Sequence, residues 1–313
     1  MVFDRTGEVK DGFYVLGSAS VPVYLLDGPV PVLFDGGLTC LGEAYVDGVK
    51  RVLGKRSPAC LYLTHVHFDH CGAVSRLRRA FPEMKVAGSA HAREILQRPN
   101  AIRLIRDLNR SAADAVHGLD PDLLVDEPFE TFEIDDLLEP ESVHSLGDGQ
   151  TLRILATPGH TWDFLSFFVP ESGLLVASEA AGVLHPNGYL VCECLVDFEA
   201  YLTSVRRLAA LDARLVSQAH HYVFTNRDAE AFFRKSTRIS LEFQALVERL
   251  WEETGEDFAE TVERVKTLEW DPMPMPRQPE PAYRLNLEAR IRSVLGKQHR
   301  PKKRGGQAKS TSS

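Results

Sequence analysis

The stretch Thr64-His65-Val66-His67-Phe68-Asp69-His70 constrains this chain more than any other. Four side chains able to ligate a metal fall within six positions, directly after the β-prone run Cys60-Leu-Tyr-Leu-Thr64. The whole chain has 11 histidines, so composition alone does not account for such a cluster. A strand that ends in a tight turn lets His65 and His67 face one point, and Asp69 and His70 a neighbouring one. Imidazole and carboxylate donors together suit zinc, and also iron or manganese. The cluster reads as a metal site at a strand end.

The pattern around it is that of an α/β chain. Short β-prone runs at 13–16, 22–26 and 31–34 are split by Gly17-Ser18, Asp27-Gly28 and Asp35-Gly36-Gly37. Residues 43–53 read as a helix closed by Gly54, 73–80 as another helix, and 85–87 as a strand. Strands interleaved with helices predict layers packed on sheets, not a helix bundle. From Ser89 to about Asp126 the pattern turns helical, as an insertion. Ser89 is the expected cap of one helix, and Asn100 of a longer one with Ile102, Ile105 and Leu108 on one side. Strands return at 152–156, 165–169 and 174–177, the last two joined through Glu171-Ser172-Gly173 as a hairpin. Asp197 is placed to cap a helix bearing Tyr201, Val205 and Leu208, and 214–216 reads as the last strand.

Past Asn226 only helical periodicity remains. The segment 271–281 holds five prolines in eleven residues and reads as an extended linker. A final helix carrying Tyr283, Leu287, Ile291 and Val294 stops at Gly296.

At 313 residues the chain has room for about two domains, or one large α/β domain with appendages. Hydrophobic residues make up 44% and charged residues 26%, which allows a full core and excludes bulk disorder. Net charge is −8, yet the tail from Lys297 carries six bases and no acid, leaving the rest at −14 (−8 less those six). An acidic body does not wrap nucleic acid, and the tail reads as a disordered end. Five cysteines are an odd number and fit a reducing compartment better than a disulfide scaffold. With no basic-then-apolar start and no apolar run of membrane-spanning length, the expected location is the cytoplasm, without a membrane partner.

His65-x-His67-x-Asp69-His70 at a strand end resembles the signature of the metallo-β-lactamase superfamily, and Thr157-Pro158-Gly159-His160-Thr161 resembles its third-histidine loop. The resemblance covers roughly residues 10–225. It implies an αββα sandwich with a two-metal site on the sheet edge. The first 225 residues would form that domain, with the helical insertion at about 89–126, a C-terminal helical cap at 226–296 and the basic tail at 297–313. By the same resemblance His65, His67 and His160 hold one metal, Asp69, His70 and His220 the second, and Glu179 stands between them. The family normally has Gly-Asp where this chain has Ser178-Glu179, so the longer carboxylate must retract, coordinate differently or leave one site weak. Glu179 as an ordinary polar residue beside a single metal is the alternative. His221 competes with His220 as ligand, although the family's turn favours His220. Asp35 resembles the family's Asp-x-Gly turn and either braces the metal loop or is a plain turn aspartate.

The implied cofactors are two divalent cations, zinc in first place with iron or manganese as alternatives. They would convert a shared water to hydroxide, with Asp69 as ligand, orienter and proton acceptor. The resulting expectation is an α/β metal-dependent hydrolase cleaving a thioester or another small acyl substrate. In layout the chain resembles the acyl-CoA thioesterase-like branch that acts in quinolone signal synthesis, whose helices cap the cleft. A phosphodiesterase or nuclease, a persulfide or diiron oxidoreductase, and a metal-binding regulatory protein with little turnover are the competing readings. Antibiotic hydrolysis is set aside because no signal peptide is present. His185, Tyr189, Trp162 and Asp163 sit near presumed ligands as pocket lining or plain structure. Cys192-x-Cys194 reads as strand-alternating packing, and His91, His117 and His144 as bystanders.

Overall fold

The structure is a computed structural model that describes residues 2–116, 124–275 and 277–296. His117 and the basic tail lie outside the described residues. The chain opens with β1 (Val2–Phe3), then runs through β2 (Gly7–Lys10), β3 (Phe13–Gly17), β4 (Pro22–Leu26) and β5 (Val32–Phe34). Helix α1 (Gly42–Leu53) follows, then β6 (Cys60–Tyr62), the single turn α2 (Phe68–Cys71), α3 (Val74–Ala80) and β7 (Lys85–Gly88). The inserted helices are α4 (Ala90–Ile95) and α5 (Pro99–Val116), and the chain returns through β8 (Asp136–Leu137). Strands β2 to β8 form one sheet in chain order, antiparallel as far as β5 and parallel from β5 to β8.

The second sheet draws on β9 (Val143–Gly147), β10 (Gln150–Ala156), β11 (Leu165–Val169) and β12 (Leu174–Val176). After the small ribbon of β13 (Val183–Leu184) and β14 (Leu190–Val191) comes α6 (Phe198–Ala209), then β15 (Leu215–Ser217) and β16 (Val223–Thr225). Its strand order is β1-β16-β15-β12-β11-β10-β9, with β12 and β15 parallel and the other neighbours antiparallel. The chain ends in α7 (Arg227–Glu253), α8 (Phe258–Glu269) and α9 (Glu280–Leu295).

Why the sheets stack is visible in single strands. In β5, Val32 and Phe34 face the second sheet, whereas Leu33 faces helices, so all three positions are apolar and buried. Phe167 of β11 reaches across to Phe34 and Tyr62, at 5.4 and 5.5 Å between ring centroids. On the outer face of the first sheet, Leu25, Leu33, Leu61 and Val86 pack on Tyr45, Val46 and Val49 of α1 and Leu77 of α3. The second sheet turns Phe168, Leu175 and Phe224 towards Leu208 of α6 and Phe232 and Phe233 of α7. Farther along α7, Phe243, Val247 and Leu250 join α8, α9 and the inner face of α6 in a separate helical core.

Several expectations shift. Pro99 opens α5, since a proline needs no hydrogen bond at a first helical position, so Asn100 lies inside the helix and does not cap it. Ser89 and Asp197 do cap, accepting from Ala92 N–H and Ala200 N–H. Residues 124–135 are neither helix nor strand, which ends the described helical part of the insertion at Val116. The strand at 214–216 is not the last, because β16 returns beside it. The proline-rich segment is not a free linker. Arg277 stacks 3.7 Å from the Trp270 ring centroid and donates to the carbonyls of Trp270, Asp271 and Met273, while Pro281 already belongs to α9. Cys192 and Cys194 are buried in the helical core, but β14 stops before them, so strand alternation does not describe them. No helix among the described residues is long and apolar enough to cross a membrane.

Candidate metal centre

Five strands end at one edge of the sandwich, and each is followed by a piece of the site. Asp35 follows β5, the His65–His70 loop follows β6, His160 lies between β10 and β11, Glu179 follows β12, and His220 lies between β15 and β16. Two bonds tie the sheets together here: Leu165 N–H to the Thr64 carbonyl at 2.8 Å, and Tyr24 Oη to the Gln218 carbonyl at 2.7 Å.

The local backbone is held in place by named contacts. Asp163 Oδ2 accepts from Val66 N–H at 3.0 Å, which makes it a brace of the metal loop. Asp35 accepts from Thr64 N–H at 2.8 Å, from the Thr64 hydroxyl at 2.9 Å and from His70 Nδ1 at 2.8 Å. Asp35 is thus the brace of the loop and not a plain turn residue. Gly159 has φ +130°, and a Cβ there would lie 2.3 Å from the Tyr201 backbone, so only glycine lets this loop deliver His160. Asp35, Ser178 and His221 all hold positive φ, a concentration of backbone strain at this edge.

The described residues bring every expected side chain together. Ligating atoms of His65, His67 and His160 lie within 4.8 Å of one another; so do those of Asp69, His70 and His220, and those of His65, His70 and Glu179. Of the two adjacent histidines, His220 reaches the cluster, with Nε2 3.4 Å from Asp69 and 3.6 Å from Glu179. His221 turns its ring towards His185. Glu179 directs Oε1 to His70 Nε2 at 2.9 Å, and its other oxygen accepts from the Ser178 hydroxyl at 2.6 Å. The extra methylene is thus taken up with one oxygen tied back and one facing the histidines.

Three imidazoles are oriented through Nδ1. His70 donates to Asp35, His160 to the Glu193 carbonyl at 2.8 Å and His220 to the Ser20 carbonyl at 2.7 Å, so each presents Nε2 to the cluster. The two carbonyl anchors have no counterpart in sequence reasoning, since a backbone acceptor leaves no residue signature. Glu193 is also fixed by its neighbours: Tyr201 Oη accepts from its N–H at 3.3 Å, and Ser293 Oγ donates to the Cys194 carbonyl at 2.5 Å.

Charge divides the cluster. Burial drives His65 well below the usual imidazole range and His160 down to about 4, so both are neutral donors. On His70 and His220 burial acts in the same sense but is overridden. Glu179, Asp35 and Asp69 hold His70 well above its ordinary value, and hydrogen bonds to Asp69 and Glu179 raise His220 to about 10. In turn, burial notwithstanding, His70 and His220 lower Asp69 to about 2, and His70 and His65 hold Glu179 well below the carboxylate range.

Does this set fit metal ions? His65 Nε2 is buried and has no hydrogen-bond partner among the described residues, a costly arrangement unless a cation accepts its lone pair. Around it lie imidazoles and carboxylates, the donor types that divalent transition metals take. His65, His67 and His160 could hold one such ion and Asp69, His70 and His220 another, and Glu179 forms a third group with His65 and His70. A cavity of about 540 Å³ opens over them, walled by Leu104 and Leu108 of α5, Val183, Leu195 and Leu285 of α9.

A two-sheet sandwich with helices on both outer faces and a histidine–aspartate cluster on one edge defines a class of metal-site proteins. The chain belongs to the metallo-β-lactamase superfamily, whose family profile matches residues 19–220. Among its relatives it is 26% identical over 164 residues to an atrochrysone carboxyl ACP thioesterase of Aspergillus fumigatus, covering 52% of this chain and 38% of that one. It is 25% identical over 201 residues to a hydroxyacylglutathione hydrolase of Yersinia enterocolitica, covering 63% and 61%. The chain thus spans from about two fifths to three fifths of the length of these relatives. Its fold is similar to that of an archaeal superfamily protein from Sulfolobus tokodaii, with a TM-score of 0.58, 17% identity, and 91% and 99% of the two chains covered.

Proposed function

We propose that this protein is a metal-dependent hydrolase of a small acyl substrate, most simply a thioester. The observation that carries the reading is the buried, unpartnered His65 Nε2 inside a seven-residue cluster at the floor of an apolar cavity. Two relatives named as a thioesterase and a hydroxyacylglutathione hydrolase support the bond type. Divalent cations bound there, zinc first and iron or manganese next, would acidify water and polarise a carbonyl oxygen.

The protein's own residues do the rest. His65, His67 and His160 would hold one cation and Asp69, His70 and His220 the second, and the Glu179 carboxylate would offset the repulsion between them. Asp69 lines the cavity and is the group placed to take up a proton released on the substrate side. Leu104 and Leu285, 58% and 66% exposed, offer apolar surface that an acyl group would cover. The acidic body and the apolar surface of this cavity favour a small molecule over a nucleic acid. All five cysteines are free, in keeping with a reducing cytoplasm.

Elemental analysis of protein purified without chelator should find two metal ions, and a panel of thioesters, lactones, bis-aryl phosphodiesters and a persulfide should show turnover of the first. Glu179→Gln keeps shape and removes charge, so it should lose one of the two metals and most hydrolysis. His67→Ala should lower metal content, whereas His144→Ala should not. A folded wild type that takes up none of the three metals would overturn the reading.

A further inference from the structure

The cavity over the cluster carries one cationic side chain that metal chemistry does not use. Its walls hold carboxylates, imidazoles and leucines, and among the described residues Arg277 is the only guanidinium or ammonium in the lining. Arg277 is held rigidly. Its guanidinium stacks on Trp270 at 3.7 Å, and Nη1 donates to the carbonyls of Trp270 (2.8 Å), Asp271 (3.1 Å) and Met273 (3.2 Å). Trp270 is fixed in turn, donating Nε1–H to the Gln278 carbonyl at 3.2 Å.

All three of those bonds use Nη1. No carboxylate among the described residues pairs with Arg277, although many of the chain's other arginines are matched with acids. A half-buried guanidinium with its plane fixed and no acceptor on Nε or Nη2 among the described residues is pre-organised for a carboxylate or phosphate. Gln278 and Asn286 line the same cavity and add neutral polar groups. The leucine and valine walls lie in the same chamber as the cluster, so a bound molecule meets apolar surface as well as a cation.

We propose that Arg277 is a specificity-determining residue that binds an anionic group of the substrate. The preferred substrates are then acyl compounds that also carry a carboxylate or phosphate. This rests on the acyl-hydrolase reading. The anion belongs either to the acyl group, as a terminal carboxylate, or to the thiol carrier, as a phosphate.

Matched substrates test this on the full-length, zinc-loaded protein. Hexanoyl and adipoyl thioesters are compared on uncharged N-acetylcysteamine, and hexanoyl thioesters on N-acetylcysteamine and on coenzyme A. A single charge-assisted contact predicts a preference of about 10- to 100-fold in kcat/KM for one anionic member, carried mainly by KM and weakened by salt. Arg277→Met should abolish that preference by lowering the anionic member far more than the neutral thioester, and Arg277→Lys should keep part of it. Preference for adipoyl places the anion on the acyl group; preference for coenzyme A places it on the carrier. If the wild type shows no preference on either axis, or if Arg277→Met lowers neutral and anionic substrates equally, Arg277 merely clamps the segment and the proposal falls. Equilibrium binding of the non-hydrolysable S-hexyl and S-(5-carboxypentyl) thioethers, and of coenzyme A, separates the two ideas. Arg277-dependent selectivity in binding without any turnover would remove the hydrolase reading and keep the anion site. Turnover without selectivity would do the reverse.

Discussion

Two clusters of buried charge, one in the C-terminal helices and one at the sheet edge, are built in opposite ways. In the helices, Arg290 is 1% exposed and meets both oxygens of Glu269, at 2.7 and 2.9 Å, while Tyr283 donates to the same carboxylate at 2.5 Å. One cation faces one anion, and only Arg290 Nε lacks a partner. At the sheet edge, three carboxylates, Asp35, Asp69 and Glu179, face histidines that are neutral at ordinary pH unless something charges them. Protons on His70 and His220 offset only part of that negative charge, and His65 Nε2 has no hydrogen-bond partner among the described residues. A buried pair that closes on itself holds a fold together; a buried set left short of positive charge waits for a ligand.

Breaking the closed pair should have the largest effect. Arg290→Met strands Glu269 as an uncompensated buried charge and should cost about 3–5 kcal/mol in denaturant unfolding. Adding Glu269→Gln to that variant should recover most of the loss, because no charge is then left alone. The open cluster predicts the opposite kind of response. Zinc at about 100 times its dissociation constant should stabilise metal-free protein by about 2.7 kcal/mol, and should do so equally in the Arg290→Met background. If zinc leaves the melting temperature unchanged, the sheet edge is not short of cations and the contrast dissolves.

A smaller effect is expected from the brace. Asp35→Asn keeps its size but weakens its hold on His70, and should cost about 10- to 100-fold in metal affinity in a chelator competition. Smallest is a pH effect in the helices. Burial alone would raise Glu269, but Arg290, with Tyr283, holds it below the usual carboxylate value. A depressed carboxylate contributes stability that is fully present above its unfolded pKa and is lost as pH falls through its folded one. The melting temperature should therefore fall with acidification below the normal glutamate range. The Arg290→Met/Glu269→Gln variant should lack that part of the slope.

The sequence makes the site more legible than the fold's margins, and the reason is physical. His65, His67, Asp69 and His70 fall in one loop, and their chemistry is visible without tertiary structure. His160 is visible because Thr157-Pro158-Gly159-His160-Thr161 resembles the family's third-histidine loop. Glu179 and His220 are located only by the strands they follow. Strands of two or three residues, such as β1, β13 and β14, exist through pairing that no local pattern announces. Arg277 hides among prolines, because composition reports stiffness and says nothing of the tryptophan it lies on. The carbonyls of Ser20 and Glu193 orient two histidines through atoms that every residue possesses.

The short stretch from Cys192 to Cys194 has a consequence for how such proteins diversify. Its two thiols are packed among the C-terminal helices, while the carbonyl between them sets the angle of His160. Helices that shape a pocket are often treated as exchangeable parts laid over a constant catalytic frame. Here the floor is anchored from the roof. A chimera that receives foreign helices after residue 226 but keeps this stretch would inherit a mismatched seam, felt first at His160. The orientation of His160 and the packing of the C-terminal helices are therefore coupled through this one stretch.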